Sequence, residues 1–458
     1  MKFRIAVAHV IDSRPDFAEV RIPLVVEENC KLEWLRNEFD CLESSLLNNE
    51  TEITSFYYQA AAAGVNALIV VISVWADPIF ALRISQLLKL PTLLLGNSRP
   101  ETSSLVGVLG AGGALDQIGI PHMRVFDHSS QAGQEKVRSF VGAARAISQL
   151  KGQTLGLFGG YSLGIFTANA DPSQALRLFG VKIEHFDQLE IQQIAEGFSQ
   201  EEVDRHKTWL VNRLASVTYS KGFTPLTLER QVRSYLATRS LIKERGLDFI
   251  GVKCQPEMSD GYVSQCVAHM LSNGSLDADG EKEVRVHACE SDADGALTMQ
   301  VLHLLSNGES AALLDIRYFE AQRNRFTLAN CGAVPAAFCG TADDPSGLSN
   351  IRMEAHVFGK GGGGALPALM TPRPVTLARL CRKNGKYWMA VVSGKIDYEE
   401  FESLKYITPS FPKGVVVCNA GEDFLQEFGA NHIHMVSGDR VEALKMFCEL
   451  IGIPCRVW

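Results

Sequence analysis

Ala67-Leu68-Ile69-Val70-Val71-Ile72-Ser73-Val74-Trp75 is followed by a stretch from Pro78 to Leu88 and then by Pro91-Thr92-Leu93-Leu94-Leu95-Gly96. The outer two segments are unbroken apolar runs, without the alternation of a half-exposed strand. The middle one has helical spacing behind a proline at its start. A strand buried on both faces next to a helix, repeated, is the pattern of a parallel sheet covered by helices. Arg4 to His9 reads as another such strand, and Leu32 to Leu47 as an amphipathic helix. Ligands of these sheets bind beyond the carboxyl ends of the strands. Trp75 and Asn97 fall at such ends.

A second α/β unit is expected from Lys151-Gly152 onward. Thr154 to Phe158 reads as its first strand and Gly159-Gly160-Tyr161-Ser162-Leu163-Gly164 as the turn after it. Val181 to Phe186, Asp248 to Val252, Val284 to Ala288 and Ala311 to Leu314 supply further strands. Thr227 to Glu244 is the clearest helix between them. Beyond about residue 320 the pattern changes to short β-rich segments, Val375 to Leu380, Lys386 to Val392 and Gly414 to Val417, separated by Gly, Pro and Asn turns. An antiparallel or barrel-like domain fits that pattern. A last helix covers Arg440 to Leu450, and Gly359 to Gly364 reads as a flexible loop. The fold class expected is therefore α/β: two doubly wound α/β domains (1–151 and 152–306) followed by a β-rich, barrel-like C-terminal domain (307–458).

The bulk numbers narrow the function. A chain of 458 residues is too long for one ordinary core. A net charge of −8 offers no basic field to a nucleic-acid backbone. The apolar runs are too short to span a bilayer, and the N-terminus reads as a strand, not a signal peptide. Eleven cysteines with no Cys-x-x-Cys pair read as reduced thiols of a cytoplasmic protein.

Three segments carry chemistry. Cys289-Glu290-Ser291-Asp292 and Leu314-Asp315-Ile316-Arg317 each place a carboxylate at the edge of an apolar run, and Gly429-Ala430-Asn431-His432 supplies an imidazole. One nitrogen and two carboxylates suit a hard divalent ion such as Mn²⁺ or Mg²⁺ better than thiolate-bound zinc. His434, two residues on, shares a strand face with His432. Each residue also has a plain structural reading. Glu290 reads as a helix N-terminal acid, Asp315 as the partner of a cation such as Arg317, and His432 as a satisfied core or surface histidine. The two glycine-rich runs, at Gly159 and Gly361, lack the spacing and context of a phosphate loop and are explained as well by turn geometry.

These segments, in order, resemble the L-fucose isomerases. Lys151-Gly152-Gln153 through Ile165, and Phe179-Gly180-Val181-Lys182 to Asp187-Gln188-Leu189-Glu190, resemble the opening of that family's second domain. Ala288-Cys289-Glu290-Ser291-Asp292 is similar to its Ala-Thr-Glu-Asn-Asp, and Leu314-Asp315-Ile316-Arg317 to its Ala-Asp-Val-Arg. Gly429-Ala430-Asn431-His432 with Ile453-Pro454-Cys455 is similar to its C-terminal segment. The resemblance implies a metal-dependent aldose–ketose isomerase working through an enediol. It implies that Glu290, Asp315 and His432 hold a divalent metal, Mn²⁺ first, with Mg²⁺ or Co²⁺ as alternatives. Glu290 and Asp315 would be the catalytic acid/base pair, with Trp75 and Asn431 touching the substrate. It also implies a cytoplasmic homo-oligomer, hexamer or trimer, whose site a neighbouring subunit completes, with a small-molecule sugar as partner and no nucleic acid or membrane.

The departures bear on the substrate. The chain is shorter than the hexose-acting members. Gly361-Gly362-Gly363-Gly364 stands where the family has Gly-Gly-Gly-Tyr, and Lys253 stands where it has a substrate-contacting glutamine. An ammonium there needs a charge partner, either Glu257, Glu290 or an anionic substituent of the sugar. The rival readings are a sugar-binding protein without turnover on the same scaffold and a metal-assisted epimerase or aldolase.

Overall fold

A computed structural model describes residues 3–398 and 403–458. The chain forms two compact units, Met1–Gln149 with Glu442–Ile453 and Leu150–Val441 with Pro454–Trp458.

The first unit holds a five-stranded sheet in the order Cys41–Leu47, Ile5–Val10, Ala67–Ile72, Thr92–Gly96, His122–Val125. Every pairing in it is parallel. The three inner strands are buried along their whole length, as their unbroken apolar runs require. The helix expected at Pro78 is present as Pro78–Leu88. Leu32 to Leu47 is not one helix. Only Glu33–Glu38 is helical, and Cys41–Leu47 is the sheet's edge strand, paired with Ile5–Val10. Its polar residues, which suggested an amphipathic helix, sit on an exposed edge, where Glu43 binds Arg36 and His9.

The second unit combines a parallel sheet with a barrel. The sheet runs His287–Cys289, Phe249–Val252, Thr154–Phe158, Lys182–Phe186, all parallel. Six antiparallel strands follow in the order Arg373–Lys383, His432–Ser437, Ala312–Glu320, Arg325–Ala329, Lys413–Cys418, Lys386–Ile396. The first and last of these also pair, which closes the ring and leaves the barrel without a free edge. The segment beginning at Ala311 is thus a barrel strand of nine residues, Ala312–Glu320, not a strand of the parallel sheet.

The helix Ala293–Leu305 packs against both the parallel sheet and the barrel. Almost all of its residues are buried, which explains why its sequence is apolar all round. The glycine run at Gly361 is packed, not loose. Gly362, Gly363 and Gly364 are buried, the Gly363 N–H donates to Gly222 O at 2.8 Å and the Gly364 N–H to Gln231 Oε1 at 2.8 Å. Gly362 and Gly363 have φ of +79° and +115°, and a Cβ on either would strike Gly222 O or Ser264 Oγ. Glycine is required there by close approach. Among the described residues no helix is long and apolar enough to cross a membrane.

Candidate active site

The register of two barrel strands brings the first pair of site residues together. Asp315 on Ala312–Glu320 lies directly opposite His432, the first residue of His432–Ser437. The third member arrives from the parallel sheet. His287–Cys289 ends one residue before Glu290, at the carboxyl edge where such sheets place their chemistry. Glu290 and Ser291 both lie in the left-handed region, with φ of +58° and +51°. Two consecutive non-glycine residues there are a costly conformation, of the kind held at functional sites. The turn is fastened by Ser291 N–H to Val252 O at 3.0 Å and Asp292 N–H to Cys289 O at 3.2 Å.

Within this frame Glu290 Oε2 is 3.3 Å and Asp315 Oδ1 3.6 Å from His432 Nε2. Glu290 is therefore not the helix N-terminal acid. That place belongs to Asp292, which caps Ala293–Leu305 by accepting the Gly295 N–H at 2.8 Å. Asp292 also accepts from His432 Nδ1 at 2.7 Å and from the buried guanidinium of Arg379. A carboxylate only accepts, so the ring carries its proton on Nδ1 and, when neutral, turns the Nε2 lone pair toward Glu290 and Asp315. Sequence reasoning missed both Asp292 and Arg379 as parts of the site. A lone arginine inside the apolar strand Val375-Thr376-Leu377-Ala378-Arg379-Leu380 was the available signal.

The charges are strongly coupled. Burial works against the charged ring of His432, yet the hydrogen bond to Asp292 and the facing Glu290 carboxylate raise it to about 10. Burial likewise opposes the charge on Asp292, but Arg379 and His432 hold its carboxyl well below the usual range. Burial pushes the Asp315 carboxyl up, against the pull of His432 and Arg317. Arg317 Nη2 donates to Asp315 Oδ2 at 2.8 Å, and its guanidinium lies 5.3 Å over the Phe411 ring.

A divalent cation fits the donor set. Glu290 Oε2 is buried without a hydrogen-bond partner, and two carboxylates converge on one imidazole nitrogen. Among the described residues no group of three or more His, Cys, Asp and Glu is placed so that it could hold a metal ion as it stands. A proton on Nε2 holds the three together as an ion-pair hub.

The other expected contacts are placed as follows. Asn431 is exposed beside His432, and its Oδ1 accepts from Thr167 Oγ1 at 3.4 Å. Lys253 is the first residue after Phe249–Val252. Because Val252 pairs with Cys289, Lys253 and Glu290 occupy adjacent ends of neighbouring strands. The Lys253 ammonium binds Glu257 at 2.7 Å, so of its partners within the chain Glu257 is the one engaged. The pair lines a cavity together with Gly159, Gly160, His185 and Asp187. Trp75 belongs to the first unit, half-buried after Ala67–Ile72, with its N–H on Thr102 O at 2.9 Å. His434 is fully buried, and burial keeps its ring neutral.

Comparison with known proteins agrees with this architecture. A family model described as "L-fucose isomerase, C-terminal domain" matches residues 328–458. A sulfoquinovose isomerase of Priestia aryabhattai is 21% identical over 445 residues, covering 93% of this chain and 94% of that protein. One of Alkalicoccus urumqiensis is 24% identical over 238 residues, about half of each chain (51% and 51%). An L-fucose isomerase of Klebsiella pneumoniae is 22% identical over 316 residues, 58% of this chain and 53% of that protein. The relatives that the chain matches are named as sugar isomerases. Residues 328–458 thus match the C-terminal domain of the L-fucose isomerases, and the chain as a whole is similar to sulfoquinovose and L-fucose isomerases.

Proposed function

We propose that this protein interconverts the aldose and ketose forms of an anionic monosaccharide, with a sulfonated hexose of the sulfoquinovose type as substrate. The convergence of Glu290 Oε2 and Asp315 Oδ1 on His432 Nε2, within 3.3 and 3.6 Å, carries the reading. Glu290, Asp315 and His432 hold a divalent cation, Mn²⁺ first. When bound, the cation supplies Lewis-acid polarisation of the sugar carbonyl and its neighbouring hydroxyl. Glu290, whose Oε2 makes no hydrogen bond and only faces His432 as an ion pair, takes the proton from C2 and delivers it to C1. Asp315, held by Arg317, exchanges the proton between O1 and O2. His432 is kept in position by Asp292 and takes no part in proton transfer. Asn431 and Trp75 contact the sugar, Trp75 serving the site of a neighbouring subunit in a homo-oligomer.

Two observations favour the anionic substituent: the relatives named sulfoquinovose isomerase, and the position of Lys253 beside Glu290 at the sheet edge. Glu257, the partner of Lys253, is half exposed, so a sulfonate can displace it at small cost. The Lys253→Gln protein is expected to lose roughly 10- to 100-fold in kcat/KM on the sulfonated sugar, the worth of a charged hydrogen bond. Turnover of a neutral aldose should stay within about threefold of wild type, since no such bond is lost there. Equal losses on both substrates would remove the anionic reading.

The whole proposal is tested by incubating the Mn²⁺-loaded protein with sulfoquinovose and, separately, with L-fucose in D₂O, followed by NMR. The expected product is the ketose of sulfoquinovose, with solvent deuterium at carbon. A sugar-binding protein gives no exchange, an epimerase gives a second aldose and an aldolase gives shorter fragments. Any of these three results overturns the proposal.

A further inference from the structure

Four cysteines from distant parts of the chain meet behind Glu290. Cys254 follows the strand Phe249–Val252, Cys266 opens the helix Cys266–Ser272, Cys289 ends its strand, and Cys331 lies in the turn after Arg325–Ala329. All four line one small internal cavity, together with His269 and His287. Cys254, Cys266 and Cys331 are buried, while Cys289 is partly exposed. The Gln255 amide donates to the Cys331 sulfur at 3.8 Å, and the neighbouring Cys289 thiol and His356 ring pull its thiol below the usual range. Such neighbours favour the thiolate, the nucleophilic form of the group. The next residue, Gly332, has no room for a side chain, because a Cβ would collide with Cys266 Sγ and His356 Nε2. The chain beside Cys331 is thus packed closely against the cluster. None of these thiols has a part in the reaction proposed above.

We propose that Cys289 and Cys331 form a peroxide-reactive thiol pair whose closure to a disulfide switches the site off by moving Glu290. The chemistry balances with hydrogen peroxide as oxidant. The Cys331 thiolate attacks one peroxide oxygen, the O–O bond breaks and the other oxygen leaves as water after taking a proton, giving a sulfenic acid. The Cys289 sulfur then attacks the Cys331 sulfur, the S–OH bond breaks and a second water leaves. Two thiols and one peroxide become one disulfide and two waters, with two electrons passing from sulfur to oxygen. The covalent S–S bond, near 2.05 Å, is far shorter than the contact distance of two unbonded thiols across the cavity, so closure draws Cys289 toward the Cys331 loop. Cys289 immediately precedes Glu290, and its carbonyl closes the left-handed turn through Asp292 N–H. Displacing it turns the Glu290 carboxylate away from Asp315 and His432.

Formation of the bond is independent of the catalytic reading, whereas the loss of turnover rests on it, so the two are read separately. The Mn²⁺-loaded protein is treated with hydrogen peroxide, quenched, alkylated and digested without reductant for mass spectrometry, with isomerase activity followed in parallel. The expected result is a peptide pair joined through Cys289 and Cys331, with turnover falling as the bond forms and returning with dithiothreitol. Cys331→Ser should keep its activity through the same treatment, and Cys289→Ser serves in its place if that variant does not fold. Absence of the Cys289–Cys331 linkage in wild type overturns the thiol pair. A linkage that leaves turnover unchanged, or an equal loss of activity in the serine variant, overturns the switch. If the untreated protein turns over no sugar, the catalytic reading fails while the linkage still decides the chemistry of the pair.

Discussion

The Glu290→Gln protein folds normally and turns over sugar at least about 10³-fold more slowly than wild type, within the range that a lost acid/base group supplies. The substitution keeps the size and shape of the side chain and removes only its charge and basicity. Glu290 Oε2 makes no hydrogen bond, so the substitution costs it only the 3.3 Å ion pair with His432. His432 keeps its shorter bond, 2.7 Å to Asp292, so the imidazole stays in place. Melting temperature and circular dichroism should therefore match wild type closely. Turnover falls for two reasons: an amide cannot accept the C2 proton, and it is a weaker ligand for a hard cation than a carboxylate. Deuterium wash-in from solvent at the sugar carbon, followed by NMR, should disappear together with kcat. Residual kcat within about tenfold of wild type would show that Glu290 is not the base, since general bases contribute more than that.

Glu290 could be found in the sequence because strand ends are legible. A segment rich in β-branched residues such as Val284 to Ala288 announces a strand, and the acid just beyond it lies at the edge where parallel sheets bind ligands. The same logic found Asp315 after Ala311 to Leu314. The sequence could not show that these two strands belong to different layers. Both are short and apolar, and the pattern that separates a parallel from an antiparallel strand lies in its neighbours. His287–Cys289 has a parallel partner, Phe249–Val252, whereas Ala312–Glu320 is antiparallel to both of its neighbours. The register that sets Asp315 opposite His432 is likewise a long-range fact. The error at Leu32 to Leu47 has a local cause. Leu42, Leu46 and Leu47 have spacings compatible with a helix, but pairing with Ile5–Val10 overrides that weak preference. At the glycine run, composition alone suggested a flexible loop. The structure uses the missing side chains to bring Gly222, Ser264 and Gln231 against the backbone.

Asp292→Asn is the substitution expected to cost the most stability, about 3–5 kcal/mol, because it breaks a buried ion pair from one side. Arg379 is 1% exposed and Asp292 fully buried, so solvent does not compensate the remaining guanidinium. Three donors point at the carboxylate: the Gly295 N–H, an Arg379 N–H and the His432 Nδ1–H. An amide has one accepting atom and one donating atom. Whichever way it is turned, its NH₂ group faces at least one of those donors, and a buried donor is left unsatisfied. The loss falls at a junction. Asp292 caps the helix Ala293–Leu305, while Arg379 on its barrel strand also donates to Thr167 O at 2.7 Å in the loop that follows the sheet strand Thr154–Phe158. Differential scanning calorimetry should therefore show a marked fall in the transition of residues 150–441, with the transition of the first unit little changed. Cation affinity should fall as well, by about 10- to 100-fold, the usual effect of removing the carboxylate behind a histidine ligand. The contrast with Glu290→Gln is the informative part. One carboxylate is expected to matter for chemistry and hardly for stability, the other for both. A Tm for Asp292→Asn equal to that of wild type would mean that Arg379 finds another acceptor, and the account of this site as one hydrogen-bonded unit would fall with it.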